Sequence, residues 1–232
     1  MYFIGGGIWL WSMVLLVPAL ILGVYAQAKV KSNFNKYSQI RSARQMTGAQ
    51  AARSLLDSAG LTQVGIQVGG SKLSDHYDPS TRTLTLSAEV GNSDSLASVG
   101  VAAHEAGHAV QHAEGYAPFK ARSSLVPVAN IGTNFGFVLF FVGLIFFRSG
   151  GGILMNVGIV LYSFAVLFTL VTLPVELDAS RRALRLLSDR SILVSDELGG
   201  AKKVLDAAAL TYVAAALMAI LQLVRMILIS RR

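Results

Sequence analysis

The chain has 232 residues, of which 53% are hydrophobic and only 14% are charged, whereas about a quarter of an average soluble domain is charged. It contains no cysteine, which excludes disulfide bonds and thiolate metal ligands. Its formal net charge of +7 does not indicate a nucleic-acid partner, because the basic residues flank apolar segments where anionic lipid and topology account for them. The composition instead predicts a protein whose partner is the lipid bilayer.

Four apolar segments are long enough and poor enough in charge to cross a bilayer as helices. They are residues 1–26, 125–147, 153–173 and 207–229. All 13 acidic residues lie outside them, as the cost of placing a carboxylate in hydrocarbon requires. Only the last segment contains a charge, Arg225, which we expect to extend towards the interface. A cleaved signal peptide ending near Ala26 is the alternative for the first segment.

Basic residues predict how these segments are oriented. Ten of the 20 Lys and Arg residues fall in 27–124 and six in 174–206, and short positively charged loops remain in the cytoplasm. We therefore expect a multi-pass protein of the bacterial inner membrane, with both regions on the cytoplasmic face. The terminal pair Arg231 and Arg232 lies on the opposite side in this topology and argues against it.

The first polar region is predicted to contain helices and then strands. Its basic segment 29–45 suits a helix that continues from, or lies beside, the membrane. Thr47 and Gln50 form a capping-box pattern at the start of a helix over 48–60. Two strands are predicted after it, at 64–69 and 83–87, separated by a turn at 78–80. They form a hairpin or small sheet, and the strand at 83–87 can bind an extended peptide by edge pairing.

A helix from about residue 95 to 113 carries the sequence His-Glu-Ala-Gly-His at 104–108, and one of the residues 92–94 is expected to cap it. Residues four apart project from one face about 6 Å apart along the axis, so His104 and His108 can bind one zinc ion. Glu105 is turned by about 100 degrees and can act as general base towards a water molecule that the ion activates. This pattern is typical of zinc-dependent hydrolases.

Other polar residues are candidates for supporting or substrate-binding roles. His112 lies about 12 Å from His104 along a straight helix, too far to bind the same ion, so we expect it at the interface or in a supporting position. The metal would hold most of the transition-state oxyanion. Candidate helpers are His76, Tyr77, Arg181 and Arg182.

The second polar region supplies the third metal ligand. Glu176 follows the third apolar segment closely, just after Pro174, and a hairpin of the second and third segments returns the chain to the same membrane face. Asp178 is the rival ligand, but residues two apart on a helix point about 200 degrees from each other, so both can hardly bind. We favour Glu176, and expect Asp178 to orient a ligand histidine or to pair with Arg181 or Arg182.

At these residues the chain resembles a membrane zinc metallopeptidase, and in particular the bacterial YugP-type family of neutral zinc metallopeptidases. The resemblance rests on the first apolar segment and on the motifs 75-DHYDP-79, 101-VAAHEAGHAVQ-111 and 175-VELDASRRAL-184. It implies His104 and His108 as ligands, Glu105 as catalytic base and Glu176 as third ligand. The chain is more distantly similar to HtpX-like membrane proteases, in which an Asp follows the downstream Glu by four residues. Here Ser180 takes that place.

The fold expected from these features is mainly α: a multi-span membrane protein with four transmembrane helices and a small cytoplasmic α+β zincin-like portion. The expected function is a membrane-anchored endopeptidase with one zinc ion per chain, acting on loops or tails of membrane proteins. The alternative is a catalytically silent zinc-binding scaffold or adaptor, which has no need of Glu105 beside the first ligand. A metal-ion transporter is disfavoured, because the apolar segments contain few polar residues.

Overall fold

A computed structural model of the protein describes residues 12–69, 75–146 and 150–231. The chain divides into two compact units. The apolar unit takes its described residues from the ranges 1–25, 121–173 and 211–232, and the α+β unit takes its residues from 26–120 and 174–210. All residues of the expected metal site belong to the α+β unit.

Secondary structure in the described residues is mainly helical, which confirms the expected fold class. The helices are α1 Val17–Tyr37, α2 Gly48–Ser58, α3 Ala88–Gly91, α4 Leu96–Ala113, α5 Ala117–Ile145, α6 Gly152–Asp189 and α7 Ser195–Ser230. The strands are β1 Gly65–Val68, β2 His76–Asp78 and β3 Thr83–Leu86.

Within the described ranges, four helical stretches are long and apolar enough to cross a membrane. They are Ser12–Tyr37, Ala117–Ile145, Gly152–Asp189 and Ser195–Ser230. These stretches extend past the predicted spans, because helical hydrogen bonding continues into the polar flanks. Helix α1, for example, continues to Tyr37 through the first part of the basic segment. Residues 1–11 of the first predicted span lie outside the described part of the chain.

Glycines bring α5 and α6 into backbone contact within the apolar unit. A Cβ atom at Gly158 would lie 2.6 Å from the carbonyl oxygen of Gly136, and one at Gly132 would overlap the carbonyl oxygen of Leu161. Small residues allow membrane helices to approach closely enough for extensive van der Waals contact. The expected hairpin of the second and third spans is therefore a tightly packed pair.

Arg225 is buried among the helices, whereas the sequence led us to expect an exposed side chain extending towards the interface. Its side chain is buried in the apolar unit, and its Nε donates a hydrogen bond to Ser12 Oγ over 3.1 Å. The Ser12 hydroxyl offers the guanidinium a polar partner among the apolar helices. Such a partner lowers the cost of burying the guanidinium.

The strands form one sheet in the order β1-β3-β2. β1 runs parallel to β3, with Gly65 opposite Thr83, and β2 runs antiparallel to β3, with Tyr77 opposite Leu84. The two predicted strands, β1 and β3, therefore belong to one small sheet but do not form a hairpin with each other. The hairpin joins β3 to β2, a strand that the sequence analysis did not predict and that includes Asp78 from the expected turn. The prediction that strand 83–87 offers a free edge is wrong, because β1 and β2 pair with both of its sides.

Side-chain caps define where two helices of the α+β unit begin. Thr47 Oγ1 accepts from the Gln50 amide and the Gln50 side chain accepts from the Thr47 amide, which confirms the capping box of α2. Helix α4 is capped by Ser95, not by one of the residues 92–94. The Ser95 hydroxyl accepts from the Ser98 amide, because Ser95 is the extended residue directly before the helix.

Helix α4 packs against α6 with no room for a side chain at Gly107. A Cβ atom there would lie 2.7 Å from the carbonyl oxygen of Ala179, closer than nonbonded atoms pack in protein interiors. Gly107 therefore lets the α6 backbone approach the turn of α4 that carries His104 and His108. Glu176 lies about one helical turn before Ala179, so the same approach brings its carboxylate to that turn.

Replacing Gly107 with alanine is expected to destabilise the protein by about 1–3 kcal/mol, because a backbone carbonyl cannot move aside as a flexible side chain can. Gly199→Ala is the matched control. A Cβ atom at Gly199 in α7 meets nothing within 4 Å, so helix propensity alone predicts equal or higher stability. Denaturant titration in detergent, followed by circular dichroism, measures both variants. Equal stabilities would contradict the close packing at Gly107.

Candidate metal centre

Two imidazoles and one carboxylate converge in the α+β unit. His104 Nε2 lies 3.1 Å from Glu176 Oε2, and His108 Nε2 lies 3.6 Å from the same oxygen. The two rings are nearly perpendicular, with centroids 4.7 Å apart. One potential ligand atom from each residue lies within 4.8 Å of the other two. Helix α4 supplies both histidines and α6 supplies the carboxylate.

These three residues fit a zinc ion. Ligand atoms that bind zinc at about 2.0–2.1 Å in a tetrahedron lie about 3.3 Å apart, and the observed separations of 3.1 and 3.6 Å bracket that value. Two histidines and one glutamate leave a fourth position for water or substrate, which is typical of catalytic zinc sites. Glu176 is 1% exposed, and a carboxylate at this depth requires cationic or hydrogen-bonding partners.

Negative charge at the cluster favours a cation. Burial lowers the pKa of His108, but the hydrogen bond to Glu176 and the charges of Glu105 and Glu176 outweigh that effect. The pKa of His108 therefore lies above its ordinary value. The carboxylates that hold a proton on this imidazole would equally attract a divalent ion in its place.

Each imidazole is also held through its Nδ1 atom. His104 Nδ1 lies 3.1 Å from Ser180 Oγ, and His108 Nδ1 lies 3.0 Å from Gln111 Oε1. Both Nε2 atoms are left to face Glu176. Contacts of this kind set the tautomer and the ring orientation of metal-binding histidines.

Gln111 determines which nitrogen of a neutral His108 carries the proton. Its side chain is fully buried, and its Nε2 donates to the Val175 carbonyl oxygen over 2.8 Å and to Asp178 Oδ2 over 2.9 Å. A backbone carbonyl can only accept, so the amide must present its NH₂ group to Val175 and its oxygen to His108. The proton therefore resides on Nδ1 of His108, and Nε2 presents its lone pair to the cluster.

Asp178 supports the cluster without joining it. Its carboxylate accepts from Gln111 and pairs with Arg182, whose guanidinium also pairs with Glu114 just after the end of α4. Of the two carboxylates considered from the sequence, Glu176 contacts both imidazoles. Asp178 contacts Gln111, which in turn contacts His108, so one side chain separates Asp178 from the nearer imidazole.

The remaining candidate residues also lie outside the cluster of potential ligands. His112 Nδ1 lies 2.9 Å from the Tyr77 hydroxyl, and the His112 ring stacks on Phe119. His76 is exposed on edge strand β2, and Arg181 is exposed and donates to the Leu177 carbonyl. Glu105, the expected general base, is buried on α4.

Sequence reasoning missed Gln111 and assigned no role to Ser180. Gln111 lies three residues after His108, and Ser180 lies four residues after Glu176. Both spacings place a side chain on the same helical face as a ligand. A search for polar side chains at these spacings from each expected ligand would have found both.

Comparison with known proteins agrees with this chemistry. Residues 12–231 match the sequence profile of the family described as "putative neutral zinc metallopeptidase". The chain belongs to this family of neutral zinc metallopeptidases. It is 43% identical over 215 residues to the "Putative membrane protease YugP" of Bacillus subtilis (strain 168), an alignment that covers 93% of this chain and 94% of that protein. No solved structure matches the chain significantly.

Replacing Gln111 with leucine is expected to lower zinc affinity by about 10–100-fold, because His108 Nδ1 loses its acceptor and the ring is free to rotate or change tautomer. Gln67→Leu is the control, since Gln67 is exposed on β1. Competition with a chromogenic chelator measures the affinity of each purified variant. A folded Gln111→Leu protein that binds zinc as tightly as the control would show that this amide does not position the ligand.

Proposed function

We propose that the protein is a membrane-anchored zinc-dependent endopeptidase, in which His104, His108 and Glu176 hold one zinc ion and Glu105 is the general base. The observation that carries this proposal is the convergence of two Nε2 atoms and one carboxylate oxygen within 4.8 Å at a largely buried position. Membership of a zinc metallopeptidase family and similarity to a membrane protease support peptide bonds as the substrate.

Each residue has a separate task in the proposed hydrolysis. A bound zinc ion supplies Lewis acidity, which polarises a peptide carbonyl and lowers the pKa of a water molecule to about 7. Glu105 accepts a proton from the attacking water and delivers it to the leaving amine. Ser180 and Gln111 hold the imidazoles with Nε2 directed at the cluster.

The sheet offers a place for an extended substrate. Among the described residues, β2 forms an edge of the sheet, and its Tyr77 contacts His112 on the helix that carries Glu105. A peptide added along β2 would gain backbone hydrogen bonds beside α4. We therefore assign peptide binding to β2 in place of the central strand β3.

We place the protein in the bacterial inner membrane with its metal site on the cytoplasmic face. This orientation rests on the basic residues of 27–124 and 174–206, next to helices that are apolar enough to span a bilayer. Glu176 is the third residue after the apolar segment 153–173. Loops or tails of membrane proteins are therefore the proposed substrates.

Glu105→Gln is expected to retain zinc but to lose about 10²–10⁴-fold in peptidase activity, because the amide cannot accept the proton of the attacking water. Elemental analysis and cleavage of a membrane-protein substrate are measured on the same preparation. Glu89→Gln is the control and keeps both properties, since Glu89 is exposed on α3.

Full activity in Glu105→Gln would remove this carboxylate from the mechanism. A wild-type protein that binds zinc but cleaves no peptide bond would support the scaffold alternative instead.

A single introduced thiol tests the orientation without background, because the chain contains no cysteine. Gln39→Cys, exposed just after α1, is expected to react with a membrane-impermeant maleimide only after cells are permeabilised. Gly152 is the first residue of α6, between the second and third predicted spans, and is proposed to lie outside the cell. A Cβ atom there meets nothing within 4 Å, so Gly152→Cys should react in intact cells. The reverse pattern would place the metal site on the outer face.

A further inference from the structure

A cavity of about 280 Å³ opens in the α+β unit beside the hairpin of β2 and β3. Its polar lining residues are Gln63, Tyr77, Arg82 and His112, and its apolar lining comes from Leu61, Val64, Ala109 and Ala113. None of these residues belongs to the metal cluster, and the proposed mechanism uses none of them. The cavity is large enough for one side chain of a substrate.

The cavity lies along the face of α4 that carries the proposed general base. Ala109 and Ala113 follow Glu105 by four and eight residues, so they occupy the same helical face about 6 and 12 Å further along the axis. An extended peptide advances about 3.3 Å per residue, so the cavity is about two to four residues from a bond cleaved beside Glu105. The small alanine side chains leave the space that forms the cavity.

The polar lining favours an anion. Arg82 contributes a positive charge, and among the described residues that line the cavity none is acidic. Burial raises the pKa of Tyr77, and the nearby charge of Arg82 offsets part of this effect. Tyr77 is therefore a neutral phenol, with its hydroxyl 2.9 Å from His112 Nδ1. The charge of Asp78, the nearest carboxylate in sequence, raises the pKa of Tyr77 further. Asp78 does not line the cavity, and its oxygens accept hydrogen bonds from Ser80 and Thr81 in the turn.

The backbone conformation at Arg82 would suit glycine better than arginine. Its φ is 51°, a left-handed conformation that glycine adopts freely and that a long side chain adopts only at a cost. The Arg82 carbonyl accepts from the Gly65 amide, so the conformation is held by the start of the parallel pairing. Gln45 and Ser191 also have positive φ values among the described residues, so this conformation by itself assigns no role to Arg82, but it makes Arg82→Gly a variant that should fold at least as well.

We infer that this cavity binds a carboxylate of the substrate, two to four residues from the cleaved bond, through the guanidinium of Arg82. The inference rests on the proposed peptidase function, because it takes the peptide to lie beside Glu105. An acidic side chain and a chain-terminal carboxylate share the same recognition chemistry. The protein would thereby select acidic segments, or peptide ends, among the chains that reach it.

Binding of short labelled peptides to zinc-loaded, full-length Glu105→Gln protein in detergent tests this inference by fluorescence anisotropy. Each pair of peptides differs by Glu or Gln at one position, and the C-terminus is amidated. At one position in the series, the Glu peptide is expected to bind about tenfold more tightly than the Gln peptide, which is the gain in affinity typical of a charge-assisted hydrogen bond. A second series with Gln throughout and a free C-terminus distinguishes a terminal carboxylate from an acidic side chain.

Arg82→Gln should bring the Glu and Gln peptides to equal affinity. Arg82→Gly should do the same while leaving thermal stability equal or higher, because it relieves the left-handed backbone. This second variant separates lost binding from lost folding. Arg44→Gln is the matched control, since Arg44 is exposed and does not line the cavity. The control should retain the full preference for Glu.

Equal affinity for carboxylate and amide peptides in both series, or a preference that survives Arg82→Gln, would overturn the inference. Hydrolysis by the wild-type protein is measured in parallel. Cleavage without any carboxylate preference overturns the role of the cavity alone. A carboxylate preference in binding, without cleavage by zinc-loaded protein, supports the cavity and contradicts the peptidase.

Discussion

The backbone contact between α4 and α6 at Gly107 and Ala179 is the constraint on which the metal cluster depends. One Cβ atom at Gly107 would fill the space between the two helices. Because the helices approach this closely, the short side chain of Glu176 reaches both imidazoles at 3.1 and 3.6 Å. A wider separation would leave a carboxylate buried without a partner, which is among the least favourable arrangements in a protein interior.

The same pair of helices supplies the groups that hold the ligands in place. Ser180 on α6 reaches back to His104, and Gln111 on α4 reaches forward to Val175 and Asp178. The potential ligands and their supporting residues are therefore joined by hydrogen bonds that cross from one helix to the other. A site built in this way has its imidazoles oriented before an ion arrives, so less of the binding free energy is lost in ordering them.

Helix α4 presents two faces that have different neighbours. Residues 104, 108 and 111 face α6 and the carboxylate, while residues 105, 109 and 113 follow the face that leads to the cavity. His112 lies between these faces, in contact with Phe119 on one side and Tyr77 on the other. The proposed metal binding and the proposed peptide recognition would thereby share one helix, as accurate positioning of a reacting bond requires.

Local patterns alone were enough to predict much of this molecule. Apolar segments of spanning length, the capping box at Thr47 and the four-residue spacing of His104 and His108 depend only on neighbours along the chain, so they could be read directly. The pairing of the strands could not be predicted in this way, because long-range contacts decide which strand a parallel partner such as β1 joins. β3 proved to be the central strand. The partner of Arg225 lies more than two hundred residues away in sequence, at Ser12. For the same reason, helical spacing could show only that Glu176 and Asp178 do not both meet the imidazoles. The packing of α6 on α4 decided which carboxylate met them and which one held Gln111.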